Sequence, residues 1–367
     1  MDSFRCFNVM IIALFCLSLG CTPMSAWQMQ RVAGQGAWPE GPDKAPSHPG
    51  NLDSGLQTPF SLLNPDHEMW VATYGDDKNP GTLFKPKRTI AAAVLLAAPG
   101  TAIMVKAGKY SEYLNFPVSG QPNKPIWLRS ADGKGAAEIS TAWAGEAPVQ
   151  IIGVSNIIVE GFKLAGGVVI REVGTTIPTN IVIQNNIIMN ALVDGIASRY
   201  AQNVFFIANE IYGAPRGNGI QILQNRSVKV VDNYIHDLRT NGTKNDGVNI
   251  KGDTRDVLLL NNIIERIDGT GMVLEGLNVM ARANSIAGFR RAVSFTGCSS
   301  CSLERNNLKV SGGVLSDVAL QVGDSPAFPT INISITNNCV HRPEWLYVES
   351  GAGTGLVNQS NTATACQ

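Results

Sequence analysis

The chain has 367 residues, with 29 Lys plus Arg against 29 Asp plus Glu, so no overall charge directs it to nucleic acid or to an anionic membrane surface. Only 16% of its residues are charged and 37 are glycine, a composition of many turns and neutral polar positions that excludes a disordered chain. The length suits one long repetitive domain or two ordinary ones.

Residues 1–26 combine Arg5 with an apolar run from Val9 to Leu19 and read as an export signal. Cys21, after Leu-Gly, is a candidate for lipid attachment and hence for anchoring to a membrane. Cleavage after Ala26 is the alternative, because Ser18 stands where such signals carry an aliphatic residue. A secreted, periplasmic or surface-anchored, monomeric protein is expected. No later apolar run is long enough to cross a bilayer as a helix. Residues 27–66 are rich in Gly and Pro without a sustained period and read as a linker, which leaves residues 67–367 as the folded domain. Its first part, Trp70 to Glu112, reads as strand, polar loop, short helix and strand. The helix is predicted over Ala91 to Ala98, following Pro86 and Thr89 and stopped by Pro99 and Gly100.

From about Asn156 the chain is periodic. NIVIQNNII, NVFFIANEI, SVKVVDNYI, DVLLLNNII, NVMARANSI, CSLERNNLK and NISITNNCV each carry an asparagine six residues in: Asn186, Asn209, Asn233, Asn262, Asn284, Asn307 and Asn338. The steps are 23, 24, 29, 22, 23 and 31 residues, within the range of stacked solenoid repeats. The runs are too short for helices and rich in Val and Ile. The fold class is therefore all-β, a parallel β-helix with an N-terminal capping helix, its inward asparagines bonding backbone and one another. Two coils are long: one inserts HDLRTNGTKND after Asn233 and the other contains DSPAFPT, and such insertions emerge as surface loops.

A further strand in each coil, GIASR, GIQIL, GVNIK, GMVLE and AVSFT, aligns Ile196, Ile220, Val248, Met272 and Val293 inward. Alternation then turns Ala197, Gln221, Asn249, Val273 and Ser294 outward, followed by Arg199, Leu223, Lys251, Glu275 and Thr296. Lys251, Arg199, Lys244, Arg216, His236 and Arg239 are expected near one face. Asp194, Asn218, Asp246 and Asp268 precede successive strands; they are ordinary Asp-Gly turn formers or a ladder of oxygen ligands for a hard cation such as calcium. Cys298 and Cys301 have CxxC spacing but lack the second pair or histidines of a zinc site, which favours packing or a disulfide.

VATYGDDKNPGTLFKPKRTIAAAV, PGTAIMVKAGKYSE and SGQPNKPIWLRSADG resemble the opening of secreted right-handed parallel β-helix proteins, especially polysaccharide lyases acting on uronic-acid polymers such as pectate or alginate. The resemblance implies β-elimination on an anionic polysaccharide. In the pectate-lyase-like group a lysine base works beside a calcium held by two adjacent aspartates. Here the only such pair, Asp76 and Asp77, lies in the loop before the helix, and Lys251 matches by its outward place on a central coil.

Elimination needs a neutralised carboxylate, a base and a proton for the leaving oxygen. Lys251, Arg199 and His236 are the catalytic candidates, with surrounding positive groups expected to lower the lysine's pKa against Asp246, Asp253 and Glu275. Asn249, Gln221, Arg216, Lys244 and Glu275 are the substrate-binding candidates. A glycoside hydrolase using two of Asp246, Asp268 and Glu275, or a non-catalytic carbohydrate-binding surface protein, are the alternatives.

Overall fold

Buried asparagines set the corners of the coil, and the backbone before each one shows how. Asn185, Ala208, Asp232, Asn261, Ala283, Arg305, Asn337 and Ser360 all adopt φ between +53° and +57°, a left-handed bend that reverses the chain between two strands. The following asparagine points inward. Its backbone N–H donates to the Oδ1 of the equivalent asparagine one coil on, from Asn186 to Asn209, Asn233, Asn262, Asn284, Asn306, Asn338 and Asn361, at 2.8 to 3.1 Å. Its Nδ2 also reaches a carbonyl of the preceding coil, as Asn209 does to Ile183. Asn186, Asn209, Asn233, Asn262 and Asn306 are at most 1% exposed, and their polar atoms are satisfied within the stack.

Asn306, not Asn307, carries this role. The bend one residue earlier falls on Arg305, and the preceding corner falls on Ser300 instead of Cys301. The Asn-Asn doublet at 306 and 307 therefore sits one position later than the doublets ending in Asn186 or Asn262. The steps become 23, 24, 29, 22, 22 and 32 residues.

The computed structural model describes residues 57–362 other than 144, 215, 239–244, 288–290, 310–318, 326–327, 342–345 and 349–353. The expected signal, the Cys21 anchor and most of the linker lie outside the described residues. All described residues fall in the unit spanning residues 50–367. Every pairing between named strands is parallel and links successive coils, which makes the body a parallel β-helix.

Each central coil contributes three strands. One file runs through Val168–Arg171, Ile196–Arg199, Ile220–Leu223, Val248–Lys251 and the first half of Thr270–Arg282. A second runs through Thr179–Gln184, Gln202–Ile207, Arg226–Val231 and Arg255–Leu260 into the second half of that long strand. The third is a separate ten-stranded sheet that includes Glu210–Tyr212, Tyr234–Leu238 and Ile263–Ile267. Inward residues stack in register, and Ile196, Ile220, Val248, Met272 and Val293 are all fully buried.

The cap helix spans Ile90–Leu96, beginning one residue before and ending two residues before the predicted bounds. Thr89 accepts from Ala92 N, and the Glu112 carboxylate accepts from Ile90 N and Ala91 N at 3.0 and 2.8 Å, so the first turn is also capped by a residue about two dozen positions on, just past the strand Gly108–Ser111. Ala97 is already extended, consistent with Pro99 excluding helix just before it. Ile90, Ala93 and Val94 are buried in the main core. Asp77 accepts from Arg88 N and Thr89 N, which makes it a brace for the loop entering the helix. Cys298 and Cys301 form a disulfide within the core, as the spacing allows, and Cys339 is also disulfide-bonded. No helix among the described residues is long and apolar enough to cross a membrane.

Replacing Asn233 by Ala removes the partner of Asn209 N and Nδ2 as well as two carbonyl bonds. The expected loss is at least about 2 kcal/mol, since each orphaned buried polar group costs about 1–3 kcal/mol. Denaturant unfolding checks it, with the part-buried corner variant Asn203→Ala expected to lose less.

Candidate functional site

Outward residues of the first file form two columns. One reads Gln150, Val169, Ala197, Gln221, Asn249, Val273, Ser294 and Gln321 on successive rungs. The other carries Arg171, then Arg199, Leu223 and Lys251, with Glu275 next. Rungs are about 4.8 Å apart, so Arg171 and Arg199 are neighbours while Lys251 stands two rungs beyond Arg199. The expected register holds for every residue of this alignment that the described pairings reach.

Lys251 is partly exposed, and its Nζ lies 3.7 Å from Glu275 Oε2. Glu275 is only 8% exposed, and its Oε1 accepts from Gly252 N at 2.8 Å. This carboxylate is therefore fixed from two sides and in turn orients the ammonium group. Asn249 departs from expectation: it faces outward yet is buried. Its Nδ2 donates to Asp246 Oδ2 at 2.7 Å, Gln221 Nε2 donates to its backbone carbonyl, and Val273 flanks it on the next rung. Its Oδ1 and Thr296 Oγ1 are buried without a hydrogen-bond partner among the described residues.

The acidic ladder is a chain of turn-closing bonds. Asp194 Oδ1 accepts from Asn218 N and Nδ2, Asn218 Oδ1 accepts from Asp246 N, and Asp246 Oδ1 accepts from Thr270 N. Thr270 occupies the rung expected for Asp268, because the Asp-Gly of Asp268 lies two residues before the equivalent position; Asp268 itself is exposed. Asp194 and Asp246 are separated by the Asn218 rung, and no group of three His, Cys, Asp or Glu side chains converges among the described residues. The ladder does not fit a carboxylate cage for calcium. Burial pushes the Asp194 carboxyl above the usual aspartate value, against the Asn218 bonds and the Arg199 charge.

Asp194 and Arg199 share a pocket of about 350 Å³ with Arg171, Gln150, Glu146 and Leu192. One wall exists because two loops touch. Gly145 has φ +82°, and a Cβ there would meet Asn190 O and Leu192 N at 2.9 Å, while Leu192 N donates to Gly145 O at 2.6 Å. Burial raises the pKa of Tyr113, with help from the Glu146 charge and against that of Arg171. Trp143, on the same loop as Glu146, is 77% exposed. Arg171 escapes the aligned strand set because its VVIR strand lacks the repeated asparagine corner upstream; the shared terminal Arg of VVIR and IASR is the available signal.

His236 lies elsewhere. The chain turns at Asn233 into the ten-stranded sheet, where His236 pairs in register with Tyr212 and Glu265. Its ring stacks between Tyr234 and Tyr212, with centroids at 4.1 and 5.1 Å. Nδ1 is 2.8 Å from Asp237 and Nε2 is 3.4 Å from Glu210. Arg266 completes the network by bonding Asp237 and Tyr234. The histidine thus belongs to a charged brace on another sheet, apart from Lys251. Arg216 is exposed beside the pocket loops; Lys244 and Arg239 lie outside the described residues.

Burial opposes a charged His236, but Glu210 and Asp237 outweigh it and hold the imidazole above the usual 6.5. Arg266 chiefly, with His236, lowers Asp237 to about 2. The histidine's contribution is therefore present in full below about pH 6.5 and lost as pH rises through its raised folded value, while the aspartate's is present above the usual aspartate value of 3.8 and lost as pH falls toward about 2. The stability advantage of wild type over His236→Asn is expected to shrink with rising pH across that upper window, measured by denaturant melts at fixed salt.

Residues 166–367 match the sequence profile of a family described as the right handed beta helix region. A curated relative, Uncharacterized protein YwoF of Bacillus subtilis (strain 168), is 44% identical over 62 residues, which is 17% of this chain; the chain spans 13% of that relative. Among solved structures, an alginate lyase from Paenibacillus sp. str. FPU-7 superposes with a TM-score of 0.54 at 16% identity, covering 81% of this chain and 99% of that one. Pectate lyase Pel9A gives 0.53 at 14% identity over 83% and 82% of the two chains. A GH136 lacto-N-biosidase from Eubacterium ramulus gives 0.51 at 13% identity over 80% and 67%. At these identities the likeness is one of fold.

Proposed function

The chain belongs to the right-handed β-helix family, and on that premise we propose that the outward face of its first strand file binds an anionic, uronic-acid-containing polysaccharide and cleaves it by β-elimination. One observation carries this reading: Arg171, Arg199 and Lys251 stand on one outward column of the first strand file, and the two arginines line a pocket beside it. A polymer lying along the coil axis would present its carboxylates to that column. Alginate and pectate lyases among the fold relatives support the same class of substrate.

The roles follow from position. Arg199 neutralises the carboxylate of the reacting uronate and makes the adjacent C–H more acidic, while Arg171 takes the carboxylate of a neighbouring sugar. Lys251 is placed to remove that proton, the C4–O bond breaks as the C4–C5 double bond forms, water protonates the leaving oxygen, and Glu275 holds the lysine in place. In this scheme the arginines supply the neutralising charge, and calcium bridging the polymer and exposed acids such as Glu146 is the competing source.

Purified protein incubated with pectate and with alginate should release an unsaturated uronate, followed by its ultraviolet absorbance. Turnover is expected to survive chelator. Lys251→Ala should lower kcat about 100-fold, within the usual range for a lost general base, while keeping the wild-type melting curve. Arg199→Ala should raise KM more than it lowers kcat. Reducing ends without the absorbance would indicate hydrolysis through Asp246 and Glu275, and undiminished turnover in Lys251→Ala would remove the lysine from the chemistry.

A further inference from the structure

The pocket beside Arg171 and Arg199 is shaped for more than a carboxylate. Its floor is Val169 and Ala197, outward residues on adjacent rungs, and its far wall is Leu192 and Val193. The two wall residues are adjacent in the chain and 46% and 54% exposed, a small apolar patch on the pocket. A hydroxyl of an unmodified sugar finds no partner on these surfaces and would lose its water on entering. A methyl group gains from the same surface. Gln150 stands one rung before Val169 in the same column, and its side-chain Nε2 makes only a long 3.5 Å bond, to Ala147 O, among the described residues. It has a donor to offer.

We propose that this pocket is an acyl-recognition subsite, selecting uronic-acid polymers that carry acetyl groups. The carboxylate of this sugar meets Arg171, the acyl carbonyl accepts from Gln150 Nε2, and the acetyl methyl packs on Val169, Ala197 and Val193. The volume of about 350 Å³ is at the small end for ligand pockets and suits one substituted sugar. Lys251 stands two rungs away, about 10 Å at the usual strand spacing, so the acylated sugar is recognised next to the scissile linkage and not at it. This inference rests on the polysaccharide reading of the trough and sharpens its substrate.

The test uses pectate and alginate, each as an O-acetylated sample and as the same sample after mild alkaline deacetylation. Binding is measured by calorimetry and turnover by absorbance. The acetylated form of one polymer should be preferred by about tenfold or more, the usual discrimination for one small apolar group in a fitted pocket. Val193→Asp and Ala197→Gln should bring that preference close to one; Val193 is half exposed, so its replacement leaves the core intact, and a thermal melt confirms folding. Equal handling of the two forms, or an acetyl preference unchanged in both variants, overturns the acyl subsite and leaves the trough reading standing. Failure of every polymer to bind or turn over, in either form, overturns both.

Discussion

The inward asparagine at each left-handed corner is the constraint on which the rest depends. Its side chain bonds backbone N–H and C=O groups of the coil before and the Oδ1 of the asparagine in the coil after, so it fixes where one strand stops and the next begins. With that corner pinned, successive strands of the first file stack residue over residue from Ile196 to Val293. Outward residues then form straight columns. Arg199 and Lys251 share a column because Asn186, Asn209 and Asn233 share a ladder.

Much of this was legible from residues alone, and the reason is periodicity. A side chain satisfied only by copies of itself must recur, so the asparagines announce both the coil and its phase. The same recurrence gave the register of Gln221, Asn249, Lys251 and Glu275. It failed where a local pattern imitated the repeat. The doublet at Asn306 and Asn307 looked like the earlier doublets, but the backbone bend fell on Arg305. Asp268 looked like Asp246 because both precede glycine, yet Thr270 takes the equivalent rung.

Other features were hidden for a different reason. Nearness along the chain suggested that His236 joins Lys251, but the Asn233 corner sends it into another sheet, where it bridges acids from adjacent coils. Alternation told that Asn249 faces outward without telling that it is covered. Burial depends on what lies over a strand, which a period of two does not encode. The Arg171 pocket likewise needs the contact between the loops at Gly145 and Leu192, two segments that share no sequence signal.

The translational character of the stack has a consequence for how such a surface can change size. Asn262 and Asn284 are 22 residues apart and make equivalent bonds to their neighbours above and below, so each coil contacts little besides the two that flank it. Duplicating one such segment would splice in a complete extra turn, with a new outward position in each column and no existing contact rewritten elsewhere. Length is thus a heritable dial on this scaffold, adjustable by gene-level copying one turn at a time.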